Sequence, residues 1–419
     1  MASRPASITA SAANPGHDTV ADWADSGLIT LTGHADGPPL VPPGRAATRA
    51  RELSGAIAAA TGGKVQLDGA QILAERAAFT GHTRRGRISV GGSCRLLPTS
   101  DGWAAVSCAR PDDPLLIGAL IGAELPADPW PAVAAWLREQ SGDALADRAT
   151  LLGIAAAPIR PRTSASMPAE LPAGRSVDGA LVVDFSALWA GPLCAHLLGV
   201  AGARVIKVET PHRPDGARAG NPAFYRLLHA GHRSVVLDPS QPAGRRALEA
   251  LVDAADIVIE ASRPRALAGF GLDAHACVAE GTTWVSITAA GRASDRVGFG
   301  DDIAAAAGLV AQDATGAPVF CGDAIADPLT GLTAAALTLT TPAGALLDIS
   351  MTDVVAATLA PPVAGPAPAA RQHDGRWVLD LGTGPVDITA PRRRTPTGAT
   401  PRPGADTAAV LRELGISAP

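Results

Sequence analysis

The stretch ALVVDFSALWAGPLCAHLLGVAGARVIKVE, residues 180–209, decides the fold. It opens with ALVVDFS, an apolar run typical of a strand that is buried on both faces. A helix is predicted to begin at the Gly191-Pro192 turn, and RVIKVE (204–209) is predicted to be the next strand. A strand, a helix and a second strand in this order predict two parallel strands joined by a crossover helix.

The same alternation continues towards the C-terminus. RSVVLD (233–238) reads as a strand and PAGRRALEALVDAAD (242–256) as a helix. Two more strands are predicted in DIVIEAS (256–262) and WVSIT (284–288). The pattern predicts an α/β protein with a mostly parallel, Rossmann-like sheet and helices on both faces. Ligands bind such sheets at the carboxyl ends of the strands, so the binding rim is expected at residues 187–191, 210–218 and 261–265.

The N-terminal part is less regular. CRLLPTSDGWAAVSCA (94–109) predicts a hairpin that turns at Asp101-Gly102. Residues 130–140 and 142–153 read as short amphipathic helices. A Pro/Ser-rich stretch follows, which is typical of a linker. We therefore predict three parts: a small α+β domain in residues 1–160, a linker in 161–178, and a Rossmann-like domain with a C-terminal helix in 179–419.

Composition excludes several classes of function. The net charge of −5 and the pI near 6.0 argue against nucleic acid as the main partner, because phosphate binding needs a basic surface. The five cysteines are widely spread and form no CxxC pair, which indicates a reducing compartment. The chain has no apolar run of about eighteen residues and no signal-peptide core at its start, so we expect no membrane association and a cytoplasmic location.

Two familiar kinds of site find little support. Glu209 ends the second strand, where a dinucleotide-binding fold places its ribose-binding acid. The loop after the first strand, however, has one tight glycine instead of G-x-G-x-x-G, which argues against a nicotinamide cofactor. The nine histidines show no H-x-x-x-H or H-E-x-x-H spacing, so no metal is expected. For His229 and His232, which lie three apart, we predict a surface or capping role.

The segment GDAIADPLTG, residues 322–331, carries a candidate nucleophile. Asp327 directly precedes Pro328 and an apolar run, which predicts that Asp327 is the N-cap of a helix whose first residue is Pro328. The amide dipoles of a helix start favour a carboxylate anion, and an apolar pocket would leave that anion poorly hydrated and reactive. The residues alone leave open whether Asp327 is only a cap or also reactive. Asp323 is expected to be a loop carboxylate without a role.

A weak internal repeat links the two ends of the chain. Residues 27–62 resemble residues 308–340, and aligning Gly55 with Gly331 places Arg51 opposite Asp327. Two Ala/Gly-rich segments can also resemble each other through composition alone, and the sequence leaves both interpretations open.

Several of these motifs resemble those of the class III, formyl-CoA-transferase-like CoA-transferases, a family that includes the α-methylacyl-CoA racemases. The resemblance runs in order from about residue 181 to 355 through the AGP turn after the first strand, the VIKVE and RSVVLD strands, and the IAD..TG segment. GSCRLLPTSDGWAAVSCARPDD (92–113) is similar to the family's small domain, which here precedes the Rossmann-like part. The order of the domains is therefore rearranged, which puts the family's interlocked homodimer in question.

The resemblance implies a function, its substrates and its site residues. Asp327 matches the aspartate that attacks an acyl-CoA thioester, so that CoA passes to a carboxylic acid through an anhydride and related covalent intermediates. Coenzyme A is then a co-substrate, bound by residues 179–419, the partners are an acyl-CoA and a carboxylic acid, and a homodimer is expected. Gly91-Gly92 resembles the family's glycine lid. The implied CoA contacts are Ala187, Leu188, Trp189, Ala190, Thr210, Arg213, Leu237, Ala261, Ser262, Arg263, Gly300 and Asp301.

The chain also departs from the family pattern. Ala261-Ser262 replaces the usual Asn-Phe pair, and Arg213 is the cation nearest to Thr210, where the family often has a basic residue. Arg213, Arg218, Arg263 and Arg265 are expected to compensate by binding phosphate. Asp301 stands where the racemases have a histidine, which disfavours racemisation. The alternatives are a non-catalytic CoA-binding or scaffold protein derived from this family, or an acyl-CoA racemase or isomerase.

Overall fold

The computed structural model describes residues 19–160, 171–172, 174–261, 264–359, 367–381 and 384–419. Within these ranges a six-stranded parallel sheet is flanked by helices, and three small antiparallel sheets accompany it. The predicted α/β class with a Rossmann-like parallel sheet is confirmed. The strands, in chain order, are β1 (Cys94–Pro98), β2 (Trp103–Ser107), β3 (Ala156–Pro158), β4 (Leu181–Asp184), β5 (Arg204–Glu209), β6 (Arg233–Val236), β7 (Ile257–Glu260), β8 (Thr283–Thr288), β9 (Val310–Gln312), β10 (Pro318–Phe320), β11 (Leu346–Ser350), β12 (Ala370–His373), β13 (Arg376–Asp380) and β14 (Pro385–Asp387).

Most of the helices are short. In chain order they are α1 (Thr19–Asp25), α2 (Ala46–Ala60), α3 (Gly69–Ile72), α4 (Glu75–Thr80), α5 (Asp113–Ile121), α6 (Trp130–Leu137), α7 (Gly142–Leu152), α8 (Ala190–Val200), α9 (Pro222–His229), α10 (Pro242–Asp253), α11 (Pro264–Ala268), α12 (Ala274–Ala279), α13 (Gly300–Ala306), α14 (Ala326–Thr340), α15 (Met351–Ala356) and α16 (Thr407–Glu413). Short 3-10 turns occupy Ile29–Leu31 and Gly216–Ala219.

The strand order of the large sheet places its ligand edge. The order is β11-β8-β7-β4-β5-β6, so the first strand along the chain, β4, lies at the centre, between β5 and β7. The chain therefore runs outward in one direction from β4 to β6, and in the other from β7 to β11. In a doubly wound sheet the crevice at this reversal, beyond the carboxyl ends of β4 and β7, is where ligands bind.

The two faces of the sheet have different cores. On one face α10, α12 and α16 cover apolar side chains of β4 to β8. On the other, a larger core combines α8, α13, α14 and α15 with the N-terminal helices α1 to α4. Helix α14 packs against both α8 and α2. The Asp327 helix is thus buried between the sheet-covering helix α8 and a helix from the N-terminal part of the chain.

The small three-stranded sheet has its own helices on one face and packs against α13 and β10 with the other. The predicted hairpin is present, because β1 and β2 pair antiparallel and Thr99 N–H donates to the carbonyl of Gly102. Helices α5, α6 and α7 cover this sheet with their own apolar core. Near the end of the predicted linker, Arg175 N–H donates to the Leu339 carbonyl on α14 (2.7 Å), while residues 161–170 and 173 lie outside the described ranges. The division into residues 1–160, 161–178 and 179–419 stays a prediction.

Candidate active site

Asp327 lies in the first turn of α14. The helix begins at Ala326 with Ile325 as its N-cap, and the side chain of Asp327 accepts no hydrogen bond from the described residues. The prediction that Asp327 caps the helix and Pro328 begins it was therefore wrong. Pro328 lies within the first turn, where its missing N–H costs nothing because first-turn amides have no intrahelical partner. The Asp327 carboxylate is thus not engaged as a cap, and it is partly exposed.

Gly300 and Asp301, two of the residues implied by the family resemblance, adjoin this carboxylate. A Cβ atom placed on Gly300 would lie 2.5 Å from Asp327 Oδ2 and 2.6 Å from the Ala324 carbonyl oxygen. Asp301 Oδ1 accepts a hydrogen bond from Ala324 N–H (2.8 Å). The start of α13 therefore packs tightly against the turn that precedes α14, and only glycine fits at position 300 without a shift.

Arg76, which the sequence did not single out, binds the same turn from the N-terminal part of the chain. Its Nε donates to Asp323 Oδ2 (2.9 Å) and its Nη2 donates to Asp323 Oδ1. Asp323 lies in a loop, as predicted, but it is completely buried in this ion pair. The guanidinium carbon of Arg76 also lies 5.3 Å from the centre of the Trp189 ring. No local signal could reveal this pair, because its two residues are 247 positions apart.

Burial and charge act against each other at these carboxylates. Burial raises the pKa of Asp327 to about 7; the cation of Arg76 lowers it, and the negative charges of Asp301, Asp302 and Asp323 raise it. Burial likewise raises the pKa values of Asp301 and Asp302 to about 6 each. Burial thus opposes the preference for the Asp327 anion that was expected at a helix start. At neutral pH, Asp327 is divided between its carboxylate and carboxylic acid forms.

The loop after β4 forms the rim beside this site. Leu188 has a positive φ of 70°, its N–H donates to Asp215 Oδ1 (3.0 Å), and its side chain is 41% exposed. Trp189 is buried edge-on against Phe224, with ring centroids 5.3 Å apart. Next along the chain, Ala190 is the first residue of α8.

Helix α14 approaches this rim through a glycine. A Cβ on Gly331 would lie 2.7 Å from the Ala190 carbonyl oxygen, so the backbones of α14 and α8 are in close contact. Asp327 lies one helical turn before Gly331. The structure therefore connects four of the implied residues with Asp327. Gly300 adjoins it directly and Asp301 binds the preceding turn, whereas Trp189 is connected through Arg76 and Ala190 through the contact of α8 with α14.

A buried ionic network supports the rim from below. Lys207 Nζ lies 3.1 Å from Asp215 Oδ2 and 3.6 Å from Asp184 Oδ2, and it also donates to the Ser186 carbonyl. Burial lowers the pKa of Lys207, but the charges of Asp184 and Asp215 outweigh burial and raise it. Because Asp215 accepts the Leu188 N–H, this network fixes the conformation of the rim loop.

The remaining described CoA contacts that the resemblance implies follow β5, β6 and β7. Thr210 follows β5, its carbonyl accepts the N–H of Arg213 (3.2 Å), and Arg213 is exposed. Leu237 is buried in the core beneath the sheet. Ala261 follows β7 and lies 3.5 Å from a Cβ placed on Gly191, at the crevice between β4 and β7. Ser262 and Arg263 lie outside the described residues.

Two arginines expected to bind phosphate are already paired. Arg218 forms a forked ion pair with Glu209, with Nε donating to Oε1 at 2.9 Å. Arg265 Nη1 lies 3.2 Å from Asp295 Oδ1. Glu209 itself also accepts the N–H of Asp215 (2.7 Å), so this carboxylate holds the rim together. Arg263 lies outside the described residues, and Arg213 is the one of the three described arginines that forms no ion pair there.

His229 and His232 are buried, so the prediction of a surface or capping role was wrong. His229 stacks on Tyr225 with ring centroids 4.2 Å apart, and His232 meets His229 edge-on at 5.6 Å. Their ring nitrogens have no hydrogen-bond partner among the described residues. Burial lowers the pKa of His232 to about 3, so both rings are neutral packing elements at neutral pH.

The described ranges contain neither a cluster of metal ligands nor a membrane-spanning helix. No group of three or more His, Cys, Asp or Glu side chains in these ranges has an arrangement that could hold a metal ion. None of the helices in the same ranges is long and apolar enough to cross a membrane.

Part of the chain is similar to proteins of one family. Residues 177–384 match the model of CoA-transferase family III. A succinate–glutarate CoA-transferase of Agrobacterium fabrum is 30% identical over 211 residues, which cover 44% of this chain and 53% of that protein. A formyl-CoA:oxalate CoA-transferase of Rhodopseudomonas palustris is 34% identical over 104 residues, 23% of this chain and 24% of that protein.

The solved structures give a partial likeness. A CAIB/BAIF family protein from Brucella suis has 27% sequence identity and a TM-score of 0.43, over 51% of this chain and 65% of that one. The match to the Agrobacterium protein spans about half of that protein's length. Residues 177–384, just under half of the chain, are thus similar to CoA-transferase family III.

Proposed function

We propose that this protein is a CoA-transferase that moves CoA from an acyl-CoA to a carboxylic acid, with Asp327 as the nucleophile. The observation that carries the proposal is the state of Asp327: an uncapped, partly exposed carboxylate packed against Gly300, one turn from the contact of α14 with the rim. This edge of the sheet is where a doubly wound fold binds its ligands. A reactive carboxylate and a ligand-binding crevice are therefore adjacent.

The proposed chemistry balances over two exchanges. An Oδ atom of Asp327 attacks the thioester carbonyl and the C–S bond breaks. CoA departs as a thiolate, and the acyl group and Asp327 form a mixed anhydride. The thiolate then attacks the aspartyl carbonyl, which releases the donor acid and leaves a thioester on Asp327. The acceptor carboxylate attacks that thioester to form a second anhydride, and the thiolate attacks the acceptor's carbonyl to release the new acyl-CoA. Covalent catalysis of this kind replaces one difficult step by several easier ones.

The surroundings of Asp327 suit a carboxylate nucleophile. Only the ionised form attacks, and a pKa of about 7 gives a substantial ionised fraction at neutral pH. Partial burial removes hydrating water from that anion, which makes it more reactive than a carboxylate in bulk water. We therefore expect the transfer rate to rise with pH through about 7, as Asp327 loses its proton.

The rim fits CoA in part. Arg213 offers an exposed cation for a phosphate, and Leu188 of the rim loop offers an exposed apolar side chain. The names of the two relatives mention succinate, glutarate and oxalate, which supports carboxylic acids as the substrate class. The homodimer and the cytoplasmic location stay predictions, and sedimentation equilibrium tests the first of them.

The test is to trap the anhydride or thioester on Asp327. The protein is incubated with a panel of acyl-CoA compounds, quenched with hydroxylamine and digested for mass spectrometry. We expect a hydroxamate on Asp327 and none on Asp323, a carboxylate of the same segment that serves as the internal control. An unmodified Asp327 with every acyl-CoA, together with full transfer activity of Asp327→Ala, would exclude the mechanism.

Calorimetry with CoA separates the enzyme from a non-catalytic relative. Binding of CoA without any trapped intermediate supports the alternative of a CoA-binding protein that has lost catalysis. The racemase alternative predicts exchange of the acyl α-proton with deuterated water. Asp301, at the position of the racemase histidine, already accepts a hydrogen bond from Ala324 N–H, so we expect no such exchange.

A further inference from the structure

Arg76 belongs to α4, which lies outside the segment that matches the family model. Its guanidinium nevertheless contacts three parts of the proposed site. It holds Asp323 through two parallel N–H donors, it lies over the Trp189 ring of the rim loop, and its Nη2 lies 3.6 Å from a Cβ placed on Gly91. Arg76 therefore joins the turn before α14, the rim after β4 and the Gly91-Gly92 loop.

The contact with Asp323 fixes the position of Asp327. A forked arginine–carboxylate pair defines both distance and orientation, unlike the single point charge of a lysine. Asp323 is four residues before Asp327 and completely buried, and the turn between them is also held by the Asp301–Ala324 hydrogen bond. Loss of the fork would leave a buried charge unpaired and release this turn.

The charges around Asp327 come from three elements besides its own helix. Asp301 and Asp302 face it from α13, Asp323 from the turn, and Arg76 from α4. Arg296 lowers the pKa of Asp302. Arg76 lowers the pKa values of both Asp327 and Asp301, and it thus offsets part of the negative charge around Asp327.

We propose that Arg76 is a positioning residue of this site, which orients the turn carrying Asp327 through Asp323 and stabilises the Asp327 carboxylate by its charge. This inference rests on the proposed function of Asp327. It implies that the N-terminal part of the chain completes the site, although the family match begins at residue 177. The rearranged order of the chain then still delivers a residue that the nucleophile requires.

The test compares two substitutions of Arg76 with a matched control. Arg76→Gln removes the charge and the fork, whereas Arg76→Lys keeps the charge and loses the fork. Arg51→Gln is the control, because Arg51 belongs to the same N-terminal part and is also held by ion pairs, but with Asp22, Asp25 and Asp68. Folding of each variant is verified by circular dichroism and thermal unfolding. The readout is the rate of hydroxylamine trapping at Asp327 from pH 5 to 9.

Each variant has its own expected pH profile. For Arg76→Gln we expect the pH at which trapping rises to shift upward by about one unit, so that trapping at pH 7 falls about fivefold and recovers partly at pH 9. Arg76→Lys should keep the limb near that of the wild type, while its plateau falls several-fold because the ammonium cannot form the fork. Arg51→Gln should match the wild type in both.

Failure of the inference is distinct from failure of the proposed function. A folded Arg76→Gln protein with the wild-type limb, or an equal shift in Arg76→Lys, overturns the role of Arg76 while trapping in the wild type still supports Asp327. No trapping at Asp327 in the wild type overturns the proposed function itself.

Discussion

Asp327 combines reactivity with a cost in stability. Its carboxylate is partly buried among Asp301, Asp302 and Asp323, and its pKa rises from the ordinary 3.8 to about 7 in the folded protein. An acid whose pKa is higher in the folded state binds its proton more tightly there. The folded state therefore loses stability as pH rises from about 4 through 7, where the unfolded chain already carries the charge.

We predict that Asp327→Asn stabilises the protein more at pH 8 than at pH 5. The amide keeps the shape of the carboxyl group and has no charge to desolvate. The expected gain at pH 8 relative to pH 5 is about 1–2 kcal/mol, a figure reduced for the solvent that reaches this partly exposed group. Urea unfolding at both pH values measures it.

A matched control is Asp36→Asn, which replaces an exposed carboxylate. Its stability should follow the wild type at both pH values. If Asp327→Asn also follows the wild type, the folded environment does not disfavour the charge on Asp327, and the expected rise of the transfer rate through about pH 7 loses its basis.

The sequence singles out Asp327, the proposed nucleophile, but not its surroundings. Asp327 is recognisable because a local motif contains it, with a proline and an apolar run on its C-terminal side. The cap prediction failed because the helix begins at Ala326, two residues earlier than the Asp-Pro pair indicates. Arg76 and Asp323 carry no local signal, because a contact across 247 residues exists only after folding.

At the scale of elements, the apolar runs located every strand of the large sheet that they were used to predict, but the ends differ. β4 ends at Asp184, two residues before the predicted end, because Asp184 Oδ1 accepts the N–H of Ser186 and turns the chain. β6 ends at Val236 instead of Asp238. It is an edge strand whose Val236 N–H donates to the side chain of Thr407, so pairing there is completed by the C-terminal segment. Such ends depend on side-chain contacts that a hydropathy pattern does not contain.

The internal repeat aligns two helical glycines that have opposite surroundings. Gly331 on α14 faces the Ala190 carbonyl and Leu193, whereas nothing lies within 4 Å of a Cβ placed on Gly55 of α2. We predict that Gly331→Ala destabilises the protein by about 1–3 kcal/mol, because the methyl group forces α14 away from α8. Gly55→Ala should instead stabilise it by about 0.5–1 kcal/mol, since alanine favours a helix.

Denaturant unfolding of the two variants measures both changes. Because Gly331 sets the approach of α14 to the rim, we also expect Gly331→Ala to slow trapping at Asp327, and Gly55→Ala to leave it unchanged. Equal stabilities for the two variants would mean that α14 and α8 separate at little cost, and would contradict the close packing between them.

At the scale of the whole molecule, one core crosses the predicted boundary between the N-terminal and C-terminal parts. Trp23, Leu53 and Phe79 pack in the same cluster as Leu193 on α8 and Leu332 on α14. The resemblance indicates a rearranged order of segments. The packing of α2 on α14 depends on the complementary shapes of the two helices, which their sequence motifs do not show. The small sheet β1-β2-β3 has a largely separate core with α5, α6 and α7.

Cooperativity should follow these cores rather than the order of the sequence. We predict that the amide protons of α2 and α14 exchange with deuterated water at opening free energies within about 1 kcal/mol of each other, because neither helix can leave the shared core alone. The apolar core beneath α5 and α7 is smaller, so amides there should exchange through a separate opening of lower free energy. Native-state hydrogen exchange at increasing urea measures both. The contrary result would be that the amides of α2 exchange together with those of α5 and α7, and before those of α14. The N-terminal part would then unfold as its own domain, and each such unfolding would remove Arg76 from the Asp327 site.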